Sequence, residues 1–487
     1  MTVIMKHLNN IYFIFLFTSG FLISCGQYKS EKHLPKKTNV LMIVVDDLRP
    51  QLGCYGNALV QSPNIDRLAT EGIVFKKSFC NIPVCGASRA SLLTSTRPTR
   101  HRYLNHLSRA DQQNPSAIPI SQHFKNNGYQ TISNGKVFHF KEDHADSWDE
   151  IWREHNNKNW MNYQSQVNQE IEKKHRRGPA FEALDISDTA YYDGRLALKT
   201  IDDLKKLKAS GDPFFLASGF VKPHLPFNAP QRYWDLYDRS DFQPASSELW
   251  PGNAPKEAFH NFVELRNYHG IPKDGPINDS LSVTLQHGYH ACISYIDQQI
   301  GLVLNALDEL EMRENTIVIL WGDHGWNLGE HGLWCKHCNF KNALSAPLII
   351  SAPGMPKNAV ARSVTEFIDV YPTLSELCGL EIPSTVRGES LVVLMKDPGQ
   401  SSPNDFAISK WSDGLTISTE LFGYTEWRKE NDSLVSRMLF DHTLDPDETN
   451  NLSNDPGYNG LMDSLSQLML SNRGAEYFVD TSVKKVK

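Results

Sequence analysis

Between Asn39 and Val45 the chain reads Asn-Val-Leu-Met-Ile-Val-Val and then stops abruptly at Asp46-Asp47. An apolar run this short, bounded by charge, suits a strand covered on both faces, because a strand with one wet face would alternate apolar and polar residues. The pattern recurs. Pro213–Val221 ends near Lys222-Pro223-His224, Thr316–Trp321 ends in Gly322-Asp323-His324-Gly325, and Ala346–Ala352 is a fourth run. Between them Ser187–Ala209 and Leu281–Leu310 read as helices; in the second, Cys292, Ile296, Ile300, Val303, Leu304 and Leu307 recur at helical spacing and belong to a core. Doubly covered strands alternating with amphipathic helices predict an α/β fold around a large, mostly parallel central sheet flanked by helices.

The rhythm changes after a helix expected at Asp369–Cys378. Pro383 and Gly388 punctuate the chain, and shorter strand-like pieces follow around Phe406, Ile417 and Met438–Phe440. This predicts a main domain over 39–380 and a smaller α+β C-terminal subdomain over 381–487, which 487 residues can accommodate. The polar stretch Arg153–Gly178 reads as a surface excursion with no binding role. At the other end, Lys6 and His7 precede an apolar run, Ile11–Ile23, too short to span a membrane and laid out like an export signal. Leu22-Ile23-Ser24-Cys25 resembles the bacterial lipoprotein box. That likeness implies a signal peptide over 1–24, lipid attachment at Cys25, a tether over 25–38, and an exported protein, periplasmic or cell-surface, that meets the membrane through its lipid alone.

Lys and Arg number 49 against 56 Asp and Glu, so a net charge of -7 argues against a nucleic-acid partner, and any polyanionic substrate needs a local basic pocket. Beyond Cys25 the cysteines stand at 54, 80, 85, 292, 335, 338 and 378, too few and too odd in number for a disulfide framework. Cys335-Lys-His-Cys338 has the spacing of a zinc or redox pair but lacks a second ligand pair.

Open α/β sheets place their chemistry at the carboxyl ends of strands. Asp46-Asp47 follows one strand and Asp323-His324 another; adjacent carboxylates there are costly unless a cation neutralises them, and oxygen ligands suit Ca²⁺ or Mg²⁺. Taken singly, Asp-Asp and Asp-His-Gly are equally the strings of solvated turns. Cys85-Gly-Ala87-Ser-Arg89 opens an expected helix, where the helix N-terminus and Arg89 would favour negative charge.

Cys85-x-Ala87-x-Arg89 followed by Leu92-Leu93-Thr94 resembles the signature of the sulfatase family, whose cysteine is oxidised after translation to formylglycine. The family's order continues through Gly135-Lys136-Val-Phe-His139, Val221-Lys-Pro-His224 and Asp323-His324 to Lys336, and the last two stretches are closest to the iduronate-2-sulfatase branch. Ala87 replaces the commoner proline, and Ser95-Thr96-Arg97 stands where Gly and a basic residue often follow. The resemblance implies an alkaline phosphatase-like fold and hydrolysis of sulfate esters on a sulfated glycan, such as 2-O-sulfate on a uronic acid or a neighbouring sugar of a glycosaminoglycan or ulvan. It implies Asp46, Asp47, Asp323, His324 and the modified Cys85 as ligands of one Ca²⁺, and a formylglycine-generating enzyme as partner. The hydrated formylglycine would attack sulfur with help from Arg89; His224, with Lys336, would bind sulfate and protonate the leaving oxygen; His139 would accept the proton that frees sulfate; and Lys136 and Lys336 would neutralise sulfate oxygens. Two other readings stay open: a phosphomonoester, phosphodiester or phosphonate hydrolase of the same superfamily, and a non-catalytic glycan-binding lipoprotein. Arg97, Arg100, His101 and Arg102 form either an anionic-sugar reader or a solvated basic loop.

Overall fold

The computed structural model describes residues 37–154, 160–244, 250–402, 404–474 and 477–478. The signal peptide, Cys25 and most of the tether lie outside them. The central sheet has eight strands: β1 Asn39–Val45, β2 Ile73–Phe79, β3 Gln130–Gly135, β4 Glu150–Trp152, β5 Phe214–Phe220, β6 Thr316–Gly322, β7 Leu348–Ser351 and β8 Ala359–Glu366, in the order β8-β2-β7-β6-β1-β5-β3-β4. Every pairing is parallel except those of β7, which runs antiparallel to both β6 and β2.

The unbroken apolar run of β1 now has its reason. Leu41, Ile43 and Val45 join one apolar cluster and Val40, Met42 and Val44 another, so both faces are dry. Helices α2 Tyr192–Ser210 and α3 Asp279–Glu309 cover the first face, within a few residues of their expected spans. The second face receives α1, Cys85–Thr94, whose ten residues are all buried.

A separate four-stranded antiparallel sheet, Phe406–Trp411, Gly414–Thr419, Phe422–Arg428 and Leu434–Asp441, forms near the C-terminus with the helix Asn459–Asn472 packed on it through Met462, Leu465 and Met469. The basic run after α1 is recruited here. Arg97 pairs with Glu366, Arg100 donates to the carbonyls of Arg428 (2.9 Å) and Lys429 (2.7 Å), and Arg102 donates to Arg97 O at 3.2 Å. The run is thus a set of tertiary ties and not a solvated loop, and none of these three arginines lines the cavity around Cys85.

Lys410, in the first strand of the C-terminal sheet, is 5% exposed, and among the described residues its ammonium donates to Ser412 O alone, at 2.7 Å. Burial pulls its pKa down to about 8. A lysine depressed on folding costs stability wherever it must fold charged, so the penalty is full below about 8 and fades as pH rises towards 10.5. Lys410→Met should raise stability by about 1–3 kcal/mol at pH 7, with a smaller gain at pH 10; denaturant melts at the two pH values check this, and an equal gain at both would contradict it.

Candidate active site

Register brings the chemistry together. Val45 of β1 is level with Gly322 of β6 and with Phe220 of β5, and Gly135 of β3 is level with Gly219 of β5. The four central strands therefore end on one line and deliver Asp323-His324, Asp46-Asp47, Val221–His224 and Lys136–His139 side by side. Backbone bonds continue past the strands: Asp323 N–H donates to Val45 O (3.2 Å), Asp46 N–H to Phe220 O (3.2 Å) and Lys136 N–H to Gly219 O (2.8 Å). Gly219 is required at this crossing, since a Cβ there would lie 2.1 Å from Lys136 O.

The chain then turns sharply. Asp47 adopts a left-handed conformation (φ 59°), its N–H donating to Asp323 Oδ1 at 3.0 Å. From the opposite side α1 points its N-terminus at the cluster, with Cys85 first in the helix. The Cys85 Sγ lies 3.2 Å from His324 Nε2 and 3.8 Å from Asp47 Oδ1. Gly86 lets this turn pass beneath the next loop, because a Cβ there would lie 2.3 Å from His106 O.

Asp46, Asp47, Asp323 and His324 are all 0% exposed. Ligand atoms of Asp46, Asp47, Cys85 and His224 lie within 4.8 Å of one another, as do those of Cys85, Asp323 and His324. Three buried carboxylates and an imidazole in two groups that meet at Cys85 are a donor set that fits a divalent cation, and the oxygen-rich set fits a hard one. Electrostatics agree. Burial pushes the Asp47 carboxyl up to about 7 against the pull of Lys336, whereas at Asp46 Lys136 and Arg89 outweigh burial and hold the carboxylate well below its ordinary range. Asp47, Asp46, Asp323 and Glu264 outnumber Arg89, Lys136 and Lys336 by one charge, so a divalent ion would leave the site net positive, the sign that draws an anionic ester.

Arg89 is where the geometry departs from expectation. It is fully buried, with Nε 2.9 Å from Asp323 Oδ2, Nη2 2.9 Å from Asp46 Oδ1, and Nη1 bonded to the carbonyls of Lys136 and Val137. Each of its three nitrogens is engaged beneath the cluster, and it does not line the cavity. It ties two strand ends and the signature helix together.

Cys85, Lys136, His139, His224 and Lys336 do line one cavity of about 570 Å³. Lys136 bonds Asp46, and Lys336 bonds both Asp47 oxygens at 3.0 Å; burial disfavours the Lys336 charge, but Asp47 and its other acidic neighbours raise its pKa above the lysine range. His139 is held well below the ordinary histidine range, chiefly by burial and then by Lys136, and its Nδ1 has no partner among the described residues. His224 sits between the cis peptide bonds Lys222-Pro223 and Leu225-Pro226, with Nδ1 2.6 Å from Leu225 O and Nε2 3.2 Å from Glu264 Oε1. Both nitrogens face acceptors, the arrangement of an imidazolium, while burial and Lys336 lower its pKa: a proton held there is easily given up.

Several lining residues carried no motif. Glu264, from the single turn Val263–Arg266, accepts from Lys336 at 2.9 Å and faces His224. Arg153, Trp160 and Arg177 belong to the stretch expected to be a bare excursion; the structure instead brings both of its ends to the cavity wall and leaves only its middle, the helix Gln166–His175, without a buried residue. His337 also lines the cavity, whereas His331 packs on Phe340 at 4.4 Å. The Cys335/Cys338 pair is buried, its thiols pushed up by burial, Cys338 to about 12. Neither belongs to a metal-capable group among the described residues. That loop's function is to present Lys336, flanked by left-handed Cys335 (φ 70°) and His337 (φ 73°).

A mostly parallel sheet with helices on both faces and a buried, carboxylate-rich cluster at its strand ends gives the alkaline phosphatase-like fold. Residues 38–380 match the family model described as Sulfatase, and residues 329–475 match one described as N-sulphoglucosamine sulphohydrolase, C-terminal. The chain is 32% identical to iduronate 2-sulfatase of Homo sapiens over 86% of its own length and 83% of that protein. It superimposes on the solved structure of BT4656 in complex with its substrate D-glucosamine-2-N,6-O-disulfate, with a TM-score of 0.72, 21% identity and coverage of 92% and 100%. It likewise matches the phosphonate monoester hydrolase of Silicibacter pomeroyi, with a TM-score of 0.72, 23% identity and coverage of 92% and 97%. The chain belongs to the sulfatase family and is a sulfuric ester hydrolase.

Proposed function

We propose that this enzyme removes sulfate from a sulfated glycan or its oligosaccharides, with a uronic acid bearing 2-O-sulfate, or the sugar beside it, as the site of attack. The observation that carries the reading is Cys85 at the first turn of α1, facing the cluster of Asp46, Asp47, Asp323 and His324 inside the cavity. Formylglycine made from Cys85 by a modifying enzyme would supply, as its hydrate, an oxygen nucleophile where a buried thiol with a raised pKa has none. Asp46, Asp47, Asp323 and His324 would hold one Ca²⁺, which supplies Lewis-acid polarisation.

The remaining work belongs to the chain's own side chains. Lys136 and Lys336 both act electrostatically on Cys85 and neutralise sulfate oxygens. His224 carries a proton at Nε2 for the departing sugar oxygen, and His139, neutral at working pH, accepts a proton at its free Nδ1. Glu264 holds the His224 proton in place. Glu264→Gln keeps the shape and removes the charge, so it should lower the His224 pKa, move the alkaline limb of the kcat profile to lower pH and cut kcat about tenfold. An unmoved limb would show that His224 is not the acid.

The phosphonate monoester hydrolase shares the fold. Both metal-capable groups among the described residues share Cys85, which lends no support to the separate second cation site that a two-metal phosphatase needs. Peptide mass spectrometry across Cys85, on protein made in a host with a modifying enzyme, joined to sulfate release from a panel of sulfated oligosaccharides and a phosphodiester control, tests the reading. Formylglycine with sulfate release supports it; an unmodified thiol with no release would favour a glycan-binding lipoprotein. The sequence likeness at Cys25 supports export and lipid anchoring, which globomycin-sensitive labelling with a fatty-acid probe would test.

A further inference from the structure

The cavity wall holds two guanidiniums that the reaction above does not use. Arg153 donates to the carbonyls of His139 (3.1 Å) and Phe138 (3.3 Å); Arg177 donates to Tyr268 Oη (3.1 Å) and stacks over Trp160 and Tyr268, 5.4 and 5.1 Å from the ring centres. Neither forms an ion pair among the described residues. The wall's carboxylates are already committed: Glu154 is gripped by Arg195 at 2.5 and 2.8 Å, and Glu264 by Lys336. Both arginines are half-buried. A cation removed from water without a counter-charge is costly to keep, and stacking on two aromatic faces fixes one guanidinium in a single plane. Planar, pre-positioned guanidinium is the group that best matches a carboxylate or sulfate.

We infer that Arg177, with Arg153 lining the same cavity, forms a second anion subsite that reads a carboxylate or a further sulfate next to the ester being cleaved. The substrate class is thus narrowed to sugars carrying two anions. This rests on the reading of the cavity as a glycan sulfatase site. Arg177 is the residue that contacts the ligand; Arg153 also steadies the His139 loop, so its loss would confound recognition with chemistry and Arg177 is the one to vary.

The test compares kcat/KM of the full chain and of Arg177→Gln on three probes: a 2-O-sulfated hexuronate, its carboxyl-reduced counterpart and a disulfated neutral hexosamine. The loss on the hexuronate should exceed that on the reduced sugar by about 10- to 100-fold, and Arg177→Lys should recover only part of it. Preferential loss on the disulfated sugar instead identifies the second anion as sulfate and supports the subsite equally. An equal loss on all three, with an unchanged melting temperature, overturns it. If no sulfate is released by the parent chain, isothermal titration of a Cys85→Ala variant, with and without Arg177→Gln, separates the two ideas. Dianion-selective binding that needs Arg177 keeps the subsite without the sulfatase reading; binding indifferent to the second anion or to Arg177 removes the subsite alone.

Discussion

Cys85→Ala should abolish sulfate release while leaving the fold and substrate binding in place. Alanine at the first position of α1 offers no side-chain heteroatom to oxidise, so the nucleophile is lost outright, and removing a covalent nucleophile costs on the order of 10⁴-fold or more in kcat. The substitution is otherwise small. It removes one Sγ whose contacts are His324 at 3.2 Å and Asp47 at 3.8 Å, and it leaves Lys136, Lys336 and the carboxylate cluster untouched. Cavity-forming truncations of this size cost about 1–2 kcal/mol, which a protein of this length tolerates. Two measurements decide it: turnover on a substrate the parent cleaves, and calorimetric affinity for the same sugar. A variant that kept more than a hundredth of the parent activity would mean that water, activated at the cluster, attacks directly, and would move the mechanism towards metal-assisted hydrolysis without a covalent step.

What could be read from the sequence follows a physical division. β1, β5 and β6 were legible because strands buried on both faces must be continuously apolar, and the abrupt Asp46-Asp47 and Asp323-His324 endings mark where the apolar run stops although burial continues. Their meeting was legible only through the rule that parallel sheets gather chemistry at one edge; the register of Val45 against Gly322 and Phe220 makes it concrete. β7 was expected as a strand, but nothing in Leu348–Ser351 betrays its reversed direction, because an apolar run reads alike both ways. Charges were the weakest guide. Arg97–Arg102 looked available because Glu366 and the Arg428 carbonyl are distant in sequence, and Arg153–Gly178 looked idle because its polar middle conceals two ends that line the cavity. Glu264 carries no signal at all: one acid in an unremarked turn acquires its role only from Lys336 and His224, which arrive from two other loops.

If the cluster holds the proposed divalent cation, chelation should lower kcat by about 10²–10³-fold and should also lower the melting temperature, both restored by adding the ion back. Without the ion, Asp46, Asp47 and Asp323 are fully buried together, and burial, against the pull of Lys336, pushes Asp47 up to about 7. A carboxyl whose pKa rises on folding favours the folded state at low pH and opposes it as pH rises through that value. The ion-free protein should therefore lose stability between about pH 4 and pH 7, and the ion should restore most at and above neutrality. Because the ion must displace the Asp47 proton, its affinity should weaken as pH falls below about 7. At a free concentration a hundred times Kd, stabilisation should reach about 2.7 kcal/mol. Melts at pH 5.5 and 7.5, with and without added Ca²⁺ or Mg²⁺, read this independently of turnover and identify the preferred ion by the larger shift. An Asp323→Asn variant supplies the control: Asn keeps the volume but weakens the bond to Arg89 Nε and removes one ligand charge, so its melt should respond far less to added ion. If the parent showed no ion-dependent shift at either pH, the buried carboxylates would be balanced by Arg89, Lys136 and Lys336 alone, and the site would act as a purely protein-built anion hole.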